Sequence, residues 1–145
     1  MSGSTLTRHE LTSLIQQGDI DTVIVGFPDL QGRLVGKRVT GWFFLEDVAD
    51  HGTENCNYLI ATDMDDNPVP GYRFTSYDRG YGDMVAMPDW ATVRVLPWIP
   101  KTALVLCDLL EPNTKQSIGV SPRQVLRDQV DAAHALGFEP RMGSE

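Results

Sequence analysis

The sequence of 145 residues contains only two cysteines, Cys56 and Cys107, and only three histidines. Two distant cysteines do not make a disulfide framework in a chain of this length, and a reducing compartment is the simpler interpretation. The histidines are too scattered to form a metal site by their spacing. We therefore predict a cytoplasmic protein whose cysteines are packed thiols.

Long apolar runs and basic residues are also scarce. No apolar run approaches the roughly 20 residues that are needed to span a bilayer. The chain has 12 Lys and Arg residues against 20 Asp and Glu residues, which gives a net charge of −8. Because an acidic surface repels phosphate backbones and anionic lipids, we expect neither a nucleic-acid nor a membrane partner. The 41% of hydrophobic residues is typical of a folded globular protein.

Motifs for common ligands are absent or incomplete. Asp63-Met64-Asp65-Asp66-Asn67 begins like an EF-hand, but Pro68 and Phe74 stand where that calcium loop needs Gly and Glu. Gly80-Tyr81-Gly82 lacks the third glycine of a dinucleotide-binding turn. The sequence also has no P-loop and no nucleophile elbow. Composition and spacing alone therefore indicate an α+β module without a complete catalytic set.

Local patterns predict a series of helices and strands. Thr7 and Glu10 have the spacing of a capping box, which predicts a first helix over 8–17 that ends at Gly18. A β-branched run, a turn and a second run predict a hairpin over 23–39. The other predicted elements are a short helix over 42–50, strands over 84–87, 91–96 and 103–110, and a long helix between Ser121 and Gly137 that leads into another strand or loop.

These elements predict an α+β fold with a mostly local, mixed sheet. The apolar strand over 103–110 is expected to be buried on both faces. Residues 63–83 are rich in Gly, Pro and Asp and predict a long loop, a feature that is often functional in compact domains. The polar stretch 111–119 is the best candidate for a domain boundary. Because a new element begins just before the last residue, we expect a piece of a longer protein.

Four collinear segments resemble the N-terminal part of the glutamine synthetase family. They are the hairpin 23–39 with its Asp29-Leu30-Gln31-Gly32-Arg33 turn, the segment Gly82-Asp83-Met84-Val85-Ala86-Met87-Pro88-Asp89, the pair Cys107-Asp108-Leu109-Leu110-Glu111-Pro112 and Ser121-Pro122-Arg123, and residues 137–145. The resemblance covers nearly the whole chain from about residue 18. It implies a β-grasp N-terminal domain over 18–113. It also implies the first helix and strand of a truncated α/β catalytic domain over 119–145.

The resemblance implies an ATP-dependent ligase of nitrogen metabolism that makes glutamine or another γ-glutamylamide. In such enzymes ATP phosphorylates the glutamate side chain, and ammonia or an amine then displaces phosphate. Mg²⁺ or Mn²⁺, held by glutamates, neutralises charge on the transferring phosphoryl group. The implied partners are glutamate, ATP, an amine and further copies of the chain in a large ring. The 145-residue piece is expected to be inactive alone.

The resemblance also assigns roles to acidic residues. Glu145 matches the first glutamate of the family's Glu-x-Glu pair, which is a metal ligand. Asp63 is the best counterpart of a loop aspartate that the family lends to the neighbouring subunit's amine site, with Asp65 and Asp66 as alternatives. Asp83 matches an aspartate of the second segment, although a structural turn role is favoured there. The nucleotide and glutamate sites would lie beyond Glu145.

The loop that contains Asp63 departs from the family's usual Phe-Asp-Gly-Ser-Ser. The stretch Pro68-Val69-Pro70-Gly71-Tyr72 would suit an amine larger than ammonia, as in polyamine- and ethanolamine-type ligases. The alternative function is a stand-alone, non-catalytic β-grasp module that binds protein partners.

Overall fold

The fold, described by a computed structural model for residues 5–143 apart from the side chain of Arg79, is built on a mixed sheet. The strands are β1 (Thr22–Pro28), β2 (Leu34–Thr40), β3 (Thr53–Cys56), β4 (Asp83–Pro88), β5 (Arg94–Val95) and β6 (Thr102–Leu110). Their order is β2-β1-β6-β4-β3, and β5 pairs with β6 as well. The β1–β6 pair is parallel and the other pairs are antiparallel. The predicted mixed sheet is confirmed.

The sheet is nearly closed, because its two edge strands approach each other. The Lys37 ammonium on β2 donates a hydrogen bond to the backbone carbonyl of Glu54 on β3. Between β2 and β3 along the chain, an α turn Gly41–Phe43, a π-helical turn Phe44–Val48 and an α turn Ala49–His51 follow one another. We call this segment the bulged helix. It confirms the short helix predicted over 42–50.

The core joins the sheet to the first helix and the bulged helix. The first helix (Arg8–Gln17) starts at Thr7 with both hydrogen bonds of the capping box and ends at the left-handed Gly18, as predicted. Every second residue of β1 points to the core, because side chains alternate across a strand. The central buried residues are Val23, Val25 and Phe27 from β1, Leu11 and Ile15 from the first helix, Phe44 and Val48 from the bulged helix, and Val105 and Cys107 from β6.

Cys107 is a packed thiol, as predicted, whereas Cys56 is only partly buried. Cys56 and Cys107 are both free cysteines. Burial raises the pKa of the Cys107 thiol to about 12.

Two predictions about strands are corrected. The strand predicted over 91–96 is formed only at Arg94–Val95, which pairs with β6. Its first part is a 3₁₀ turn, Trp90–Thr92, in which the Asp89 carboxylate accepts the backbone N–H of Ala91 at 3.0 Å. The expectation that β6 is buried on both faces is also wrong. Its burial alternates along the strand, because the second face is covered only in part.

The polar strand β3 was not predicted, and the strand expected after Gly137 is not formed within the described residues. β3 has the sequence Thr-Glu-Asn-Cys and owes its strand state to antiparallel pairing with β4. After Gly137, Phe138 and Met142 are 66% and 82% exposed. Without a neighbouring strand, the backbone groups of such a segment have no ladder to join.

The long helix (Pro122–Ala135) follows a segment that folds back on β6. The backbone N–H of Ile118 donates to the Leu109 carbonyl at 2.8 Å, and the Ile118 side chain is buried. Ser121 caps the helix and Pro122 occupies its first turn, as predicted. The apolar face of this helix is exposed, with Val125, Leu126 and Leu136 all more than 40% accessible. Across residues 5–143, no helix has the length and apolar character that crossing a membrane requires.

Candidate functional site

The β1–β2 turn is organised around the buried carboxylate of Asp29. Asp29 is 1% exposed. Its Oδ1 accepts the backbone N–H groups of Gln31 and Arg33 at 2.9 and 2.8 Å, and its Oδ2 accepts Arg33 Nε at 2.7 Å. These bonds satisfy the carboxylate inside the turn. The hydrogen bond to Asp29 also raises the pKa of Arg33 above its usual value.

Arg33 connects this turn to the irregular loop of residues 61–71, which we call the proline loop. Its Nη2 donates to Thr62 Oγ1 at 3.0 Å, and its Nη1 donates to the Met64 carbonyl at 3.3 Å. The same Nη1 lies 3.0 Å from Asp66 Oδ1. Because the guanidinium group is a planar fork with several donors, one side chain holds two separate loops in a fixed relation.

Asp63, the predicted amine-site residue, shapes the proline loop. Its Oδ1 accepts the backbone N–H groups of Asp65 and Asn67, both at 2.9 Å, and its own N–H donates to the Asn67 carbonyl at 2.9 Å. Hydrogen bonds from Asn67 hold the pKa of Asp63 below its usual range. Asp63 is therefore an ionised, half-buried acceptor. Its role in a neighbouring subunit's site stays a prediction.

The other predicted site residues are not brought together with Asp63. Asp83 starts β4 opposite Cys56 and lines an open cleft of about 510 Å³ with Asn57 and Glu111. Its role also stays a prediction, and Glu145 lies outside the described residues. Within residues 5–143, no three His, Cys, Asp or Glu side chains come together as candidate metal ligands.

An ion-pair cluster that the sequence reasoning missed fixes the long helix to the sheet. Arg123 Nη2 lies 2.5 Å from Asp89 Oδ2, and Arg123 Nε lies 3.0 Å from Asp108 Oδ1. Arg127 Nη2 adds a contact of 2.9 Å to Asp108 Oδ2. Asp89, Asp108 and Arg123 each come from a different stretch that resembles the glutamine synthetase family. The three residues are separated by 15 and 34 positions in the chain, so no local pattern indicated that their side chains meet.

A small cavity of about 130 Å³ lies between the proline loop and residues 75–81. The residues that line it include Tyr58, Tyr77, Asp78 and Tyr81. The Tyr58 and Tyr81 rings meet edge to face, with their centroids 5.4 Å apart and an interplanar angle of 70°. Sequence reasoning identified this stretch as a loop but did not predict a cavity, because residues 58 and 77–81 are separated in the chain.

Comparison with solved structures defines the class of domain. A structure described as a GmaS–ADP complex matches with a TM-score of 0.65 at 22% identity, over 87% of this chain and 26% of that chain. No family model matches the sequence. The fold is therefore a small mixed α/β domain that is similar to one part of that structure.

Curated relatives identify the family. The chain is 48% identical over 137 residues to gamma-glutamylethanolamide synthetase GlnA4 of Streptomyces coelicolor, and 37% identical over 130 residues to glutamate–isopropylamine ligase of a Pseudomonas species. These matches cover 94% and 90% of this chain but 29% and 28% of the relatives. Type-1 glutamine synthetase 2 of Dictyostelium discoideum is 31% identical over 81% of the chain and 22% of that protein. The chain belongs with the N-terminal part of the glutamine synthetase family, which confirms the resemblance of its four segments.

Proposed function

We propose that the chain is the N-terminal part of an ATP-dependent ligase that joins the side-chain carboxylate of glutamate to a small primary amine. The observation that carries the proposal is the 48% identity, over 94% of the chain, to a relative named for ethanolamide synthesis. A second relative is named for isopropylamine. Both amines are larger than ammonia, which agrees with the proline loop at the position of the family's usual Phe-Asp-Gly-Ser-Ser.

The proposed reaction has two steps. A glutamate carboxylate oxygen attacks the terminal phosphorus of ATP, which forms an acyl phosphate and releases ADP. The amine nitrogen then attacks the acyl carbon, phosphate leaves with the carbon–oxygen bond electrons, and the nitrogen loses a proton. Activation is needed because an ionised carboxylate is a poor electrophile, whereas phosphate is a good leaving group.

The domain organisation is part of the proposal. Residues 18–113 would form the β-grasp domain, and residues 119–145 would begin the catalytic domain. The cluster of Asp89, Asp108, Arg123 and Arg127 would then tie the first catalytic helix to the sheet, since it contributes three close ion contacts across that boundary. Assembly into a homo-oligomeric ring, with Asp63 facing a neighbouring subunit, is proposed from the resemblance.

Metal use is proposed only for the whole enzyme. Glutamine synthetase-like ligases generally use ATP with divalent metal ions such as Mg²⁺ or Mn²⁺. The described residues do not fit such a site, because they bring no three candidate ligands together. Glu145 is proposed as one ligand by its position in the sequence motif, and no step of the reaction is assigned to a metal at residues 5–143.

The test is a phosphate-release assay on the longest protein encoded by the reading frame that contains this chain. We expect turnover that requires ATP, glutamate and an amine, with ethanolamine or isopropylamine preferred to ammonia. We expect the 145-residue chain alone to be inactive. Absence of turnover with ethanolamine, isopropylamine, polyamines and ammonia would contradict the ligase assignment. Activity from the 145-residue chain would contradict the proposal that the nucleotide and glutamate sites lie beyond Glu145.

A non-catalytic protein-interaction module is the second candidate. It is supported by the exposed apolar face of the long helix, because contiguous apolar surface often marks a protein contact. Leu126 is 48% exposed and Leu136 is 76% exposed on that face. This candidate predicts no amine-dependent phosphate release, together with self-association or partner binding that Leu126→Glu abolishes in sedimentation experiments. Amine-dependent turnover by the longer protein would rule it out.

A further inference from the structure

The walls of the small cavity are held in place by specific hydrogen bonds. The Asn57 side-chain oxygen accepts the Thr75 hydroxyl at 2.7 Å and the Gly82 N–H at 3.3 Å. The Asn57 N–H donates to the Gly82 carbonyl at 2.9 Å, which closes the base of segment 75–82. On the opposite wall, the Val69 N–H donates to the Ala61 carbonyl at 2.9 Å. Both walls of the cavity are therefore hydrogen-bonded to residues 57–61, which directly follow β3.

The side chains that line the cavity suit an organic cation. The faces of tyrosine rings carry negative charge density and attract ammonium groups within about 6 Å of the ring centroid. Three tyrosines, Tyr58, Tyr77 and Tyr81, are among the residues that line the cavity, as is Asp78, and Tyr77 is 86% exposed. A carboxylate can accept charge-assisted hydrogen bonds from an ammonium N–H. Pro68 and Pro70 add apolar surface for a short alkyl group.

The volume limits the size of the ligand. About 130 Å³ exceeds the ~10–15 Å³ that one water molecule needs. It is below the ~300 Å³ at which pockets for drug-sized molecules begin. The cavity thus accommodates a cation of a few heavy atoms. Metal ions do not match it, because one carboxylate and three phenol rings are not a hard-cation ligand set.

We propose that the cavity lined by Tyr58, Tyr77, Tyr81 and Asp78 binds the protonated form of a small primary amine. An alkylammonium group resembles the lysine side chain, whose pKa is about 10.4, so nearly all of it is charged at pH 7. The site would hold the amine before it loses its proton for reaction elsewhere. The identification of the cation as the amine substrate rests on the proposed function, whereas the binding itself does not require ligase activity.

The test is an NMR titration of isotopically labelled chain with isopropylammonium chloride, at constant ionic strength set with sodium chloride. We expect saturable shifts of the backbone signals of Tyr58, Asp78 and Tyr81. Isopropanol has the same shape without the charge, and we expect its apparent affinity to be at least about tenfold weaker. Sodium chloride alone should produce no such shifts.

Single substitutions test separately whether binding depends on a tyrosine ring face, on the carboxylate or only on an intact fold. Tyr81→Leu and Asp78→Asn should each weaken isopropylammonium binding by about three- to tenfold, since each removes one source of attraction. Tyr81→Phe keeps the ring face and should bind within about twofold of the unchanged chain. Trp98→Leu removes a distant ring that is 73% exposed and should have no effect.

The outcomes are distinguishable from those of the ligase assay. Equal binding of isopropanol and isopropylammonium, or shifts confined to residues outside the cavity, would overturn the site. If Tyr81→Leu unfolds the chain, the Asp78→Asn variant and the comparison with isopropanol still test whether the cavity binds the cation. Saturable binding at the cavity by a longer protein that has no ligase turnover would leave the site intact and overturn only the proposed function.

Discussion

The sheet and the proline loop are stabilised in different ways. In the sheet, Val25 and Phe27 of β1 and Val105 of β6 are completely buried, so their contribution is removal of apolar surface from water. In the proline loop, Arg33 and Asp63 supply ion pairs and hydrogen bonds to backbone groups. A change in the sheet therefore affects the whole domain, whereas a change in the loop alters local shape. We therefore expect substitutions in the proline loop to leave the domain folded.

The largest expected effect is the loss of a core side chain from the sheet. Phe27→Ala removes a completely buried ring and should lower the free energy of unfolding by about 3–5 kcal/mol. Equilibrium urea unfolding measures this change. Trp98→Ala, at a position 73% exposed, is the matched control and should change stability by less than about 0.5 kcal/mol. Similar losses in the two variants would contradict the assignment of the core.

A smaller loss is expected where the long helix meets the sheet. Arg123→Met removes the closest partner of Asp89 and one of two arginine partners of Asp108, so that only Arg127 still contacts these carboxylates, which are about a fifth exposed. We expect a loss of about 1–3 kcal/mol in urea unfolding. Arg141→Met, at an exposed position, should have little effect. Combining Arg123→Met with Asp108→Asn should cost less than the sum of the single losses, and strict additivity would show that the cluster contributes no coupling.

The connection between the β1–β2 turn and the proline loop should depend on the shape of the Arg33 side chain. Arg33→Met should speed proteolytic cleavage within residues 61–71 several-fold, because it removes the contacts to Thr62, Met64 and Asp66. Its effect on global unfolding should be smaller than that of Phe27→Ala. Arg33→Lys should be intermediate, since one ammonium group cannot reproduce the guanidinium fork. Arg38→Met on the exposed part of β2 is the control, and faster cleavage there would argue against a specific role for Arg33.

The smallest effect is a local change with pH at Asp63. Its pKa is lowered in the folded state, so its stabilising hydrogen bonds are fully present above the unfolded value of about 3.9 and are lost as the pH falls through the folded pKa. A carboxyl NMR titration should give a midpoint below 3.9. Asn67→Ala should raise that midpoint only in part, because the backbone N–H of residue 67 still donates. A midpoint at or above 3.9 would contradict the loop geometry.

Elements with local signals were predicted well, and elements that depend on distant partners were not. The first helix was predicted from Thr7 to Gly18 because both of its ends are determined by neighbouring residues. The strand state of β3 depends on β4, which lies about thirty residues further along the chain. The contacts of Arg123 to Asp89 and Asp108 span 34 and 15 residues, so no local pattern indicates that these side chains meet.

The features of the candidate sites also divide into those that the local sequence indicates and those that depend on distant contacts. The amino-acid sequence by itself determined the family, through four segments in the same order as in the family. Their residue types and spacing can be compared without a structure. It also located the irregular loop with Asp63, because Gly, Pro and Asp disfavour regular structure. Only the tertiary structure placed Tyr58 beside Tyr81, directed Arg33 onto the proline loop and left the apolar face of the long helix exposed. Those features depend on how strands pair and helices pack, which are contacts between residues that are distant in the sequence.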